Sequence, residues 1–168
     1  MYFGIMHLTA YWNNSMKTLL LFSLLIFHFS FPIFPQMAQR LEQILERPAV
    51  DYQEAVLLVL EATDRFGPDV TGNAELAFNY AMEQRWLPGN AAMSTTVNFR
   101  GLSLLIMRAF EIRGGVLFSI TRSQHHAYRE LVYRSIIQGR TDPQMAVSGE
   151  YLLFTLNRVF TLIDNDLL

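Results

Sequence analysis

Apolar residues recur at helical spacing along most of the chain past Met37, broken by short polar stretches at turn residues. Residues 37–46 read as a short amphipathic helix with Leu41, Ile44 and Leu45 on one side, ended by Arg47-Pro48. Asp51 has the character of an N-cap. The helix behind it is apolar nearly all round (Ala55, Val56, Leu57, Leu58, Val59, Leu60), so it is expected to be buried. Gly67-Pro68 stops it. Gly72-Asn73 opens a helix over 74–85 with Leu76, Ala77, Tyr80 and Ala81 on one face, and Pro88-Gly89-Asn90 forms the turn after it. A polar loop, 91–96, leads to Asn98 as the cap of a helix over 99–112, which Gly114-Gly115 is expected to close. Residues 116–120 read equally as a short extended segment or a helix tail. Ser123 caps a helix over 124–137, Gly139 makes the turn, and Ser148 caps a last helix running to about Ile163. The chain is thus expected to be all-α.

The C-terminal half reads the same way twice. At a constant offset of 50 residues, Ala77, Gly89, Val97, Leu102, Arg108 and Phe110 fall on Ala127, Gly139, Val147, Leu152, Arg158 and Phe160. Phe78 meets Tyr128, Leu87 meets Ile137, Asn98 meets Ser148 and Ile106 meets Leu156. Self-similarity of this kind marks an array of supersecondary units. The start of the second helix has a third copy: Val50-Asp51-Tyr52 aligns with Val97-Asn98-Phe99 and Val147-Ser148-Gly149. Each is a valine, then a capping residue, then a helix start. The expected organisation is a partial unit over 38–64 followed by full units over 66–113 and 116–163.

Composition adds an address. Of 168 residues, 51% are apolar and 17% charged, and much of the apolar excess lies between Thr18 and Phe31. Met16-Lys17 before that run, with Pro32 and Pro35 at its end, is the layout of a secretory signal peptide over 16–37 or of an uncleaved membrane anchor. Residues 1–15 hold no basic residue and read as upstream of the true start at Met16. The chain is therefore expected to be exported, to the periplasm, the cell envelope or beyond. The absence of cysteine excludes disulfides, thiolate chemistry and a cysteine-linked lipid. Apart from Lys17, the 13 basic residues are Arg and follow Met37, set against 15 Asp plus Glu. No basic stripe suggests nucleic acid.

Phe66-Gly67-Pro68-Asp69-Val70, Ala77, Trp86-Leu87-Pro88-Gly89 and Val97-Asn98-Phe99-Arg100-Gly101 resemble a divergent S-layer homology unit. The second copy is similar: Ala127-Tyr128-Arg129-Glu130-Leu131, Ser135-Ile136-Ile137-Gln138-Gly139, Asp142-Pro143 and Val147-Ser148-Gly149-Glu150. The resemblance spans residue 48 to about 162. It implies a three-part helical bundle that anchors proteins non-covalently to envelope polysaccharide. The family's polymer-contacting Arg falls on Tyr52, Phe99 and Gly149, none of which is Arg. Its Glu falls on Glu54, Gly101 and Tyr151, surviving only in the first copy. Arg100 and Glu150 lie one residue away, a rotation of about 100° on a helix.

The candidate ligand-binding residues are Gly89, Arg100, Gly139, Arg140 and Glu150, lining grooves between units. Asp51, Asn98 and Ser148 are read as structural caps. Arg108 and Arg158, repeated inside apolar helices, are read as structural ion pairs, with an anion-binding groove as the other reading. Trp86 is expected either to complete the core or to stack on a sugar. His125 and His126 are adjacent on a helix and point apart, which argues against a shared metal. Carboxylate pairs such as Glu75 with Glu83, or Glu130 with Glu150, would serve a glycan hydrolase only if they faced across one cleft. With no phosphate loop, nucleophile elbow or zinc signature, the expected activity is binding and not catalysis, with no cofactor or metal. The expected partner is envelope polysaccharide or, on the second reading, an envelope protein docked by a helical adaptor. Membrane contact would come only through the N-terminal run.

Overall fold

A computed structural model describes residues 33–139 and 142–165. The expectations for residues 1–15, for most of the 16–37 segment and for Arg140 lie outside the described residues. The chain divides into two compact units, Met1–Glu42 and Gln43–Leu168.

Every regular element among the described residues is helical. Helix α1 (Ile33–Leu45) begins ahead of the start read from the sequence, with Pro35 in its first turn. A proline is tolerated there because the first N–H groups of a helix have no partner within it. No helix among the described residues is long and apolar enough to cross a membrane. The remaining helices are α2 (Tyr52–Thr63), α3 (Pro68–Thr71), α4 (Ala74–Glu83), α5 (Phe99–Ala109), α6 (Val116–Thr121), α7 (Gln124–Tyr133) and α8 (Gly149–Asp164). The stretch 116–120, open in the sequence, belongs to α6. Helix α2 packs on α4, α5 and α8, while α5 packs on α7. Accordingly α5 is buried along nearly its whole length, including Phe99, Leu102, Leu105 and Ile106. The buried hydroxyls of Ser103 and Thr155 donate to the carbonyls of Phe99 and Tyr151, one turn back in their own helices (2.6 and 2.7 Å).

Three helix N-termini meet in a closed ring of backbone hydrogen bonds. The N–H of Val97 donates to the carbonyl of Val50, that of Val147 to Val97, and that of Val50 to Val147, each at 2.9 Å. All three valines are buried. One residue on, Asp51, Asn98 and Ser148 accept from the backbone N–H of Glu54, Gly101 and Tyr151 (2.9, 2.9 and 3.2 Å). The remaining free N–H groups turn outward to the next loop. Tyr52 donates to Thr95 (3.0 Å), Phe99 to Met145 (3.3 Å) and Gly149 to Arg47 (3.0 Å). Gln53 donates to Met93 (3.1 Å) and Arg100 to Pro143 (3.2 Å). The otherwise partnerless donors of these helix starts therefore hold the polar loops in place.

The helix ends correct the expected role of glycine. Helices α4, α5 and α7 stop at Arg85, Glu111 and Ser135, which adopt φ of 57°, 53° and 56°. The next residue in each case returns a hydrogen bond to the last turn: Trp86 to Ala81 (2.8 Å), Ile112 to Met107 (2.9 Å) and Ile136 to Leu131 (2.9 Å). This is the Schellman ending, carried out without glycine. Gly114-Gly115 does not close α5. Gly114 instead makes room for Phe118, since a Cβ there would stand 2.8 Å from the Phe118 Cβ, and Gly115 starts α6.

Candidate functional site

The residues proposed from sequence do not converge. Gly89 and Gly139 are exposed, and a Cβ at either would meet nothing within 4 Å. Gly139 is required by its φ of +83°, not by a close approach. Arg100 is half-buried at the start of α5, its Nε buried without a hydrogen-bond partner. Glu150 is exposed in the first turn of α8. None of these four lines the three cavities described for the chain. The positions that would carry the family's Arg, namely Tyr52, Phe99 and Gly149, are all buried. A guanidinium at any of them would be placed in the core without access to a polymer. Glu54, at the surviving Glu position, faces Arg47 at 3.0 Å.

Of the carboxylates and histidines weighed from sequence, Glu130 and His126 are engaged locally. Glu130 accepts from Arg134 Nε through one oxygen and from the Gly115 N–H through the other, both at 3.0 Å. His126 Nδ1 lies 2.7 Å from the Thr121 hydroxyl and 3.0 Å from that of Ser123. No group of three metal-ligating side chains occurs among the described residues. The Tyr151 hydroxyl donates to the Gln138 carbonyl (2.5 Å), and burial raises its pKa above the usual tyrosine value.

The two repeated arginines part company. Arg158 donates from Nε to the Ser135 carbonyl at 3.3 Å, fastening α8 to the end of α7. The matching carbonyl for Arg108 belongs to Arg85, and Arg108 makes no such bond. Neither arginine forms an ion pair among the described residues, which corrects the expectation of structural pairs. The Arg108 guanidinium instead lies 5.7 Å from the centre of the Phe118 ring, the ring for which Gly114 makes space. Its Nε is buried with no partner. Desolvation, and then the positive charge of Arg122, lower its pKa.

Around Arg108 lies a cavity of about 460 Å³. Its lining includes the arginines Arg108, Arg113 and Arg122 and the aromatics Tyr80, Trp86 and Phe118. Tyr80 and Trp86 belong to an edge-to-face cluster with Phe66, with centroids 5.0 to 6.1 Å apart. The cavity's one carboxylate, Glu111, is bound to Arg65 at 2.7 Å. A second cavity of about 700 Å³ shares Glu111, Ile112 and Arg113 and opens among the C-terminal ends of α2, α5 and α8, beside the Phe110–Phe160 pair. Arg113 and Arg122 were missed from sequence because they come from a loop and a helix end with no common spacing. The repeat had singled out Arg108 and Trp86 only singly. No family model matches the chain, and no curated protein or solved structure is similar to it.

Proposed function

We propose that this chain is an exported, non-catalytic cell-envelope module that binds envelope polysaccharide, built as a divergent relative of the S-layer homology bundle. The observation that carries this reading is the ring of Val50, Val97 and Val147, which gives three similar helix starts equivalent surroundings. A pseudo-threefold bundle of two full units and one partial unit accounts for that ring and for the 50-residue offset together. The burial of Tyr52, Phe99 and Gly149 moves binding away from the family's usual positions. The Arg108 cavity, lined by both arginines and aromatics, has the surface character suited to a sugar polymer.

A second reading, a helical adaptor for an envelope protein, draws on α6. Val116, Leu117 and Ile120 are 75%, 56% and 76% exposed, with Tyr133 of α7 at 86%. Exposed apolar side chains grouped in this way suit a protein contact. The two readings separate in one experiment. Retention of the protein on purified envelope polysaccharide is expected, and should be lost with Arg108→Gln. No retention, together with recovery of one envelope protein that Ile120→Asp releases, would overturn the polysaccharide reading in favour of the adaptor.

A further inference from the structure

We propose that the cavity walled by Arg108, Arg113 and Arg122 is a binding site for a dianionic phosphate group, either inorganic phosphate or a phosphate ester. The site does not rest on the polysaccharide reading. Three arginines from separate places line this cavity: Arg108 in the last turn of α5, Arg113 in the loop after it and Arg122 at the end of α6. None is paired with a carboxylate among the described residues, and Glu111, the acid in the wall, is already held by Arg65. Uncompensated like charges at a shared cavity repel one another, and an anion with more than one charge removes that repulsion. Planar guanidinium forks match a tetrahedral oxyanion donor for acceptor.

Arg108 supplies the second line of support. Its Nε is buried without an acceptor, a state rarely left standing unless another group completes it. The Phe118 ring beneath it fixes where the guanidinium sits. The depressed pKa of Arg108 agrees with this, because its causes are desolvation and the charge of Arg122. Arg122 itself is held at φ +48°, its N–H tied to the Phe118 carbonyl at 2.7 Å. The cavity, about 460 Å³, has room for more than a bare phosphate, and its lining includes Trp86 and Tyr80, side chains suited to an esterified ring.

Titration calorimetry on the full chain at constant ionic strength tests this, with inorganic phosphate, glucose 1-phosphate and pyruvate as separate ligands. Saturable one-site binding of phosphate is expected. Arg122→Asn and Arg108→Gln should each weaken it about tenfold or more, the scale of a lost charge-assisted hydrogen bond. Arg129→Ala, at an exposed arginine outside this cavity, should leave it unchanged. Tighter binding of glucose 1-phosphate assigns the site to an ester, and equal binding assigns it to free phosphate. Arg122 is exposed and Asn tolerates its backbone, so that variant keeps the test valid if Arg108→Gln does not fold. The proposal is overturned by no saturable binding, by an equal loss in Arg129→Ala, or by pyruvate binding as tightly as phosphate.

Discussion

Gly149→Ala tests the ring from which the helices start. Gly149 is the first residue of α8, and its N–H donates to the Arg47 carbonyl at 3.0 Å. A Cβ there would overlap the Ile44 carbonyl oxygen and stand 2.6 Å from the carbonyl carbon. The oxygen is the tighter contact, and non-bonded carbon and oxygen stay about 3.3 Å apart, so the Ile44 carbonyl would have to withdraw by roughly 1.5 Å or more. Backbone held in a helix does not yield as a side-chain tip does. Overpacking of this kind costs about 1–3 kcal/mol. Withdrawal also strains the Gly149–Arg47 hydrogen bond, whose net worth is about 1 kcal/mol. Against this, Ala is favoured over Gly in a helix interior by at most about 1 kcal/mol, and less at its first residue. The balance is a loss of about 2–3 kcal/mol. For a cooperative unit of the size of Gln43–Leu168, a loss of 1 kcal/mol lowers Tm by about 4 °C, so the expected fall is about 8–12 °C. Thermal unfolding followed by circular dichroism and calorimetry reads it directly. Gly89→Ala is the companion, since nothing lies within 4 Å of its added Cβ, and it should stay within about 2 °C of the parent. A Gly149→Ala protein as stable as the parent would refute this account of how α8 is seated.

Ser135→Gly should raise stability by about 0.5 kcal/mol, because relief of the left-handed backbone at φ 56° outweighs the greater freedom of glycine in the unfolded chain. Ser135→Val should lower it by more than that, and urea midpoints that ranked the two the other way would contradict the Schellman ending described for α7. Burial pushes the Tyr52 phenol up to about 12 from an ordinary 10.0. The folded state therefore keeps a proton that the unfolded state loses, so this contribution is intact below pH 10 and disappears as pH rises from 10 to 12. The expected loss is on the order of 3 kcal/mol by pH 12, and Tyr52→Phe should flatten the decline in urea stability between pH 10 and 12. An unchanged slope in that variant would remove Tyr52 as its cause.

What the linear chain determined is local. The caps Asp51, Asn98 and Ser148, the nearly all-apolar α2 and the all-α class follow from short-range rules of spacing and capping, which need only neighbours three or four residues away. The offset of 50 residues is a reading at the same level, made from residue identities alone. Tertiary structure decided the rest. The end of α5 passed from Gly114-Gly115 to Glu111, and α4 and α7 likewise end on Arg85 and Ser135 at positive φ, a local cost that the folded chain offsets. Arg108 and Arg158 are identical in the repeat, yet one meets a carbonyl and the other meets Phe118 and Arg122. That difference arises from what α6 and the loop before it bring alongside, and no pattern within α5 encodes it. The candidate site lies at that junction. Charges separated by 5 to 14 positions in sequence act together only because the chain folds them around one cavity.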